Sequence, residues 1–161
     1  MPKSPDAGAR DRVAISNRRA RHEYFILDTY ECGVVLVGSE VKSIRDGRAN
    51  LSDSYARIEN GEVWLHGMHV SPYPFTRDNP DPDRKRKLLL HRAEIDRLTG
   101  KLNEAGLTLV PLKVYFQNGV AKIELGVARG KRQWDKRQAM AERDAKREAD
   151  RALRSRNRGG E

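Results

Sequence analysis

LTLVPLKVYFQNGVAKIELGVA (Leu107–Ala128) decides the fold. Two runs rich in aliphatic, β-branched and aromatic residues, Leu107–Phe116 and Val120–Ala128, flank Asn118-Gly119. A two-residue type I′ turn needs positive φ at both central residues, and Asn-Gly is the pair that accepts this most readily. In the second run Ile123, Leu125 and Val127 point one way and Lys122 and Glu124 the other, the period of a half-buried strand. The same device recurs upstream, where Ser54–Glu59 and Glu62–Val70 flank Asn60-Gly61. Earlier still, Glu23–Glu31 reads as a strand, Cys32-Gly33 as a turn, and Val34–Gly38 as a second strand.

Helical signals separate these strand pairs. Ser39–Gly47 reads as a short helix with Ser39 as cap, Val41 and Ile44 on one face and Gly47 at the left-handed C′ position. Lys87–Gly106 carries Ile95, Leu98, Leu102 and Ala105 at helical spacing, with Gly100 inside and Gly106 at its end. Between them Ser71–Asp83 holds four prolines and reads as a surface loop. The order β-β-α-β-β-α-β-β has too few helices for parallel crossovers. It predicts a β-dominated protein of six antiparallel strands, closed into a small barrel that removes exposed edges, with two to three peripheral helices. The expected division is a disordered stretch over 1–15, the barrel over 16–128 and a tail over 129–161.

Charge supports that division. The chain carries 32 Lys+Arg against 23 Asp+Glu, a formal +9. Residues 129–161 hold 12 Lys+Arg and 6 Asp+Glu, so the tail supplies most of the surplus. A nearly neutral body with a basic arm points to a polyanionic partner, of which nucleic acid is the usual one. The tail is rich in helix formers and has no proline. Trp134, Ala141, Ala145, Ala149 and Ala152 fall near one stripe, and Glu142–Lys146 and Asp150–Arg154 are acid-first i,i+4 pairs. An alanine stripe buries little, so the tail is expected to be disordered when free and helical when bound to a polyanion.

Several function classes find no support. The single cysteine, Cys32, cannot form an internal disulfide. His66 and His69 lie three apart in an expected strand and point to opposite faces, a poor metal pair. There is no Cys-x-x-Cys, P-loop or G-x-G-x-x-G, and no cofactor is expected. Asp53 with Glu31 or Glu40 is the only imaginable nuclease set. Asp53 reads better as a turn residue, and Glu31 and Glu40 as surface or helix-end carboxylates. The sequence reads as a protein that is not an enzyme. Tyr24, Phe25, Trp64 and Phe116 read as core aromatics. Trp134, set among cations, either stacks on an RNA base or packs back on the barrel. No run is long and apolar enough to span a membrane and the N-terminus lacks a signal-like apolar stretch, so a cytoplasmic location is expected.

Longer motifs add to this reading. NRRARHEYFI (Asn17–Ile26), EVKSIRDGRANLSDSYARIENGEVWLHGMHVSPY (Glu40–Tyr73), RKLLLHRAEI (Arg86–Ile95), GLTLVPLKVYFQNGVAKIELGVARGK (Gly106–Lys131) and DKR (Asp135–Arg137) run in order through a chain that closely resembles the SmpB family. The resemblance implies an OB-like barrel that binds the tRNA-like domain of transfer-messenger RNA (tmRNA). It implies delivery of that RNA to stalled 70S ribosomes for trans-translation, with elongation factor Tu in the delivery complex and the protein acting as a monomer without metal. The implied tmRNA surface takes in Arg19, Arg21, His22, Glu31, Lys42, Arg45, Leu89 and His91, where His91 stands at a position that is often Asn in the family. The segment implied to enter the 16S rRNA decoding centre and empty mRNA channel contains Gly130, Lys131, Arg132, Trp134, Asp135, Lys136 and Arg137. Trp134 stands where the family commonly has His or Tyr, and a flat ring there preserves stacking on a base.

Overall fold

The computed structural model describes residues 12–103, 106–131 and 133–158. Side-chain placement within the last helix is described for residues 140–155. The strands are β1 (Val13–Ser16), β2 (Tyr24–Val34), β3 (Ala49–Asn50), β4 (Tyr55–Glu59), β5 (Glu62–His66), β6 (His69–Val70), β7 (Arg86–Leu89), β8 (Leu107–Gln117) and β9 (Val120–Gly130). The helices are α1 (Arg18–Glu23), α2 (Gly38–Arg45), α3 (Arg92–Leu102) and α4 (Gln133–Arg158). Six strands form a ring in the order β8-β4-β5-β7-β2-β9, closed by β8 against β9, with every pairing antiparallel. The expected small antiparallel barrel is therefore present.

Both Asn-Gly turns sit where the sequence puts them. Glu59 pairs with Glu62 and Gln117 with Val120, and φ is positive at Asn60, Gly61, Asn118 and Gly119. Inward side chains of the ring, among them Val63, Leu65, Leu88, Leu109, Val114, Ile123 and Leu125, form the main core. Val110, Leu112 and Ala128 point outward from the same wall and are covered by Ala20 of α1. That helix is capped by buried Asn17, whose amide also donates to the Leu51 and Pro111 carbonyls and so fastens α1 to the barrel.

Four expectations are corrected. Cys32-Gly33 is not a turn, and Val34–Gly38 is not a strand of its own. Chain 24–34 is one strand, with Cys32 inside the core and Gly33 paired to Leu89. A Cβ on Gly33 would lie 3.3 Å from Leu89 Cβ, so glycine serves close approach here rather than reversal. Second, the ring gains β7, which the leucine run placed at the start of a long helix. Leu88 pairs with Val63 on one side and Val34 on the other, filling the gap in the ring, so tertiary pairing overrides helical propensity. Third, the strand expected over Glu62–Val70 breaks at Gly67 into β5 and β6. Gly67 has φ +80°, and a Cβ there would meet the Asp53 carbonyl oxygen at 2.5 Å. Fourth, Val13 and Ile15 pair with β8 inside the stretch 1–15 expected to be disordered; residues 1–11 lie outside the described residues.

The helix α2 starts two residues earlier than expected, with Val37 as N-cap. Its N-terminus is closed by Glu40, whose Oε1 accepts from the Val37 N–H at 3.1 Å, and not by Ser39. In the tail Gln133–Arg158 form one helix, the conformation expected of it when bound. Helix formers, acid-first pairs and the lack of proline favour that state locally. The chain divides into two units after Gly130.

Candidate nucleic-acid interface

An open groove lies where three parts of the barrel meet. The end of β2 supplies Glu31, Gly33 and Val34. The end of β7 and the start of α3 supply Leu89, Leu90, His91 and Glu94, and the β8–β9 hairpin supplies Val120 and Lys122. Its floor follows from the Gly33–Leu89 pairing: with no side chain at 33, Leu89 lies low across the strand and is still 51% exposed. His91 sits at the N-cap of α3, held by its N–H donating to Glu94 Oε1 at 3.2 Å. Its imidazole is outside the helix and exposed.

Glu31 is poised at one wall. Its carboxylate lies 3.8 Å from Lys122 Nζ. Burial first, and the nearby Glu31 carboxylate second, push the Tyr115 phenol well above its ordinary range, so it stays neutral. The groove thus offers a carboxylate acceptor, a cation, an imidazole and an exposed leucine. An unpaired nucleotide presents the matching groups: amino or hydroxyl donors, a phosphate, a base edge and an apolar sugar or base face.

Three of the eight residues expected on the RNA surface, Glu31, Leu89 and His91, come together here. Arg45 reaches the same hairpin from α2: its guanidinium lies over the Phe116 ring at 4.6 Å and donates to the Gly119 carbonyl at 3.3 Å. Lys42, one turn earlier, instead lies over Tyr73 at 5.3 Å. Arg19, Arg21 and His22 belong to α1. Arg19 bonds Glu23 at 3.0 Å and Asp53 at 3.1 Å, while Arg21 lies 3.9 Å from Glu124. Lys122, Val120, Gly33 and Glu94 were not singled out by the sequence reading. They reach the groove through pairing register, which one-dimensional patterning does not display.

The carboxylates of the imagined nuclease set stay apart. Asp53 pairs with Arg19 and Glu31 with Lys122. Glu40 is no surface group: it is 2% exposed and bound by Arg84 and by fully buried Arg86, with Arg86 Nη2 at 2.7 Å. His66 bonds Glu59 and His69 bonds Asp83, each in its own strand. Among the described residues no three His, Cys, Asp or Glu side chains converge as a metal site. Of the aromatics expected in the core, Phe116 is buried. Phe25 is exposed beneath Arg129, and half-buried Trp64 is covered outside by Lys85 at 4.6 Å.

In the tail segment Gly130 ends β9, exposed and paired to Tyr24, and Lys131 follows half-buried. Arg132 lies outside the described residues, as do the side chains of Trp134, Asp135, Lys136 and Arg137, whose backbone opens α4. From Met140 to Ser155 every side chain is exposed, including Arg143, Lys146, Arg147, Arg151 and Arg154. Among the described residues no helix is long and apolar enough to cross a membrane.

Comparison with known proteins bears on this arrangement. A family model described as SmpB protein matches residues 14–155. An SsrA-binding protein of Moorella thermoacetica is 60% identical over 151 residues, covering 92% of this chain and 97% of that protein. An SsrA-binding protein of Thermobifida fusca is 58% identical over 155 residues, covering 96% and 97%. A solved structure described as "tmRNA-SmpB: a journey to the center of the bacterial ribosome" aligns with a TM-score of 0.64 at 52% identity, covering 78% of this chain and 93% of that one.

Proposed function

The chain belongs to the SmpB family, and on that premise we propose that it binds the tRNA-like domain of tmRNA and brings it to stalled ribosomes for trans-translation in the cytoplasm. The observation that carries this reading is the groove, where Glu31, Leu89 and His91 converge from three elements around a leucine left open by Gly33. Such a surface suits the splayed nucleotides of an RNA elbow or loop better than a duplex backbone, which phosphate-directed cations alone would serve. Arg45 at the hairpin end, and Lys42, Arg19, Arg21 and His22 beyond it, extend the contact to phosphates.

The body over 16–128 carries RNA recognition, and residues 129–161 carry the ribosome contact. Lys131, Arg132, Lys136 and Arg137 meet rRNA phosphates in the decoding centre, with Gly130 as the joint and Asp135 among them, and Trp134 stacks on a base. The rest of α4 lies along the empty mRNA channel with its exposed arginines outward. A translating mRNA fills that channel, so preference for stalled ribosomes arises from competition for space. The protein acts without catalysis of its own, as a monomer, and elongation factor Tu accompanies the delivery complex.

Peptide tagging on purified ribosomes tests this. Extending the mRNA beyond the decoding site should suppress tagging progressively, and ending the chain after Gly130 should abolish it. Tagging that is indifferent to mRNA length, or that survives loss of the tail, overturns the reading.

A further inference from the structure

A second surface, sharing no lining residue with the groove, surrounds the loop between β6 and β7. This loop is proline-rich but firmly held. Asn79 donates to the Tyr73 and Thr76 carbonyls at 3.0 and 3.2 Å and accepts from the Tyr73 N–H at 2.9 Å. Ser71 N–H bonds the Arg48 carbonyl at 2.9 Å, and buried Arg86 donates to the Pro82 carbonyl at 3.0 Å. On this fixed frame Phe75 stands 83% exposed. It meets Tyr73 edge to face, with centroids 5.4 Å apart at 66°, and lines a recess with Val37, Gly38, Ser39 and Lys42. A phenyl ring held out of the core by an ordered loop forgoes a large burial gain, and it pays no ordering cost on meeting a partner.

The charges nearby indicate the partner. Several cations elsewhere on the barrel are matched, Lys85 by Glu59, Lys87 by Glu62, Lys101 by Asp28 and Lys113 by Glu124, while Arg18, Arg57 and Arg97 have no carboxylate partner among the described residues. Beside Phe75, Lys42 has no carboxylate partner within salt-bridge distance among the described residues, nor has Arg77 two positions along the chain, and Asp78 of the same recess pairs with neither. Lys42 rests on the Tyr73 ring with its ammonium free to meet an anion. An open aromatic face beside unmatched cations is the arrangement that holds single-stranded RNA, bases on the ring and phosphates on the charges.

We propose that Phe75, supported by Tyr73 and flanked by Lys42 and Arg77, is a second RNA site that stacks an unpaired base of a strand passing the β6–β7 loop. The site selects unpaired over duplex RNA, because a stacked base must leave its own helix, and it has little preference among bases, because every base offers a π-face.

The test uses the full-length protein and an oligouridine of about twelve nucleotides carrying 4-thiouridine, a length that spans one such site. Irradiation and peptide mapping should place a cross-link within residues 73–77 in the wild type and in Phe75→Tyr, and not in Phe75→Ala. Phe75→Ala should weaken binding roughly five- to tenfold, the lower end of base–aromatic stacking, with an unchanged salt slope. Arg77→Ala should reduce that slope by about one. The exposure of Phe75 makes both variants safe for folding. Cross-links confined to other segments, or equal affinity of Phe75→Ala and wild type, overturn the proposal. So does self-association that Phe75→Ala abolishes, which would make the ring a contact between copies, or a protein partner that needs Phe75 while RNA binding ignores it.

Discussion

Glu40 shows how much one buried carboxylate depends on its neighbours. Burial is the largest influence on it and pushes its pKa up. The hydrogen bonds from Arg84, the Val37 amide and Arg86 together outweigh burial and hold the carboxyl below its ordinary range. Arg86 in turn donates to the Met68, Pro82 and Arg84 carbonyls, so one ion pair joins α2, β7 and the loop before β7. Removing one partner of such a pair strands the other charge, which typically costs about 3–5 kcal/mol. Glu40→Gln should therefore lower the urea midpoint strongly at neutral pH. Because the folded pKa is depressed, the carboxylate's contribution is complete above its ordinary value of 4.5 and is lost as pH falls through the folded value. The gap between wild type and Glu40→Gln should accordingly narrow in acid; a gap constant with pH would contradict this. Cys32 gives a second residue-scale expectation. Burial pushes its thiol up to about 12, so thiol reagents should label it only as the protein unfolds, which a labelling rate followed against urea would show. Neither burial was evident from the sequence. Glu40 reads locally as a helix-end acid and Cys32 as a turn residue, and only the pairing of distant strands puts them inside.

Among the elements, those with a local cause were legible and those with a tertiary cause were not. The two Asn-Gly hairpins and the Gly47 helix end follow from φ requirements carried by the residues themselves; the helix expected to run to Gly106 ends at Leu102, with Asn103 as its C-cap. Strand β7 does not: Lys87–Leu90 has the composition of a helix start, and becomes a strand because β5 and β2 leave one place in the ring. Gly67→Ala should be among the most damaging single changes, as it adds strain at φ +80° to a clash with the Asp53 backbone. A loss of several degrees in the melting temperature is expected, and an unchanged melt would refute the close approach. In the tail, Ala145→Pro interrupts α4 at a cost of about 3 kcal/mol for that helix. It should reduce the helical circular dichroism signal and peptide tagging, and leave the body's thermal transition in place, because residue 145 belongs to the second unit, Lys131–Glu161. Loss of body stability in that variant would argue that the tail is part of the fold.

For the whole molecule, charge asymmetry indicated a body and a basic arm, and the ordered motifs indicated the family. The groove itself was only partly readable. Glu31 lies 58 positions from Leu89 and 60 from His91 in sequence yet lines one surface with them, while Lys122 joins them through the β2–β9 register. The central claim is that the body selects tmRNA through this groove and leaves the tail for the ribosome. The most direct test is binding to tmRNA, with an unrelated hairpin as competitor across a salt series. It compares the full-length protein, a chain ending at Gly130, and Leu89→Ala with His91→Ala, two exposed positions whose replacement spares the core. The account predicts that loss of the tail lowers the salt slope but keeps selectivity, and that the groove variant loses selectivity with the slope intact. If selectivity instead disappears with the tail and survives in the groove variant, the barrel is only a scaffold for a basic arm and the account is wrong.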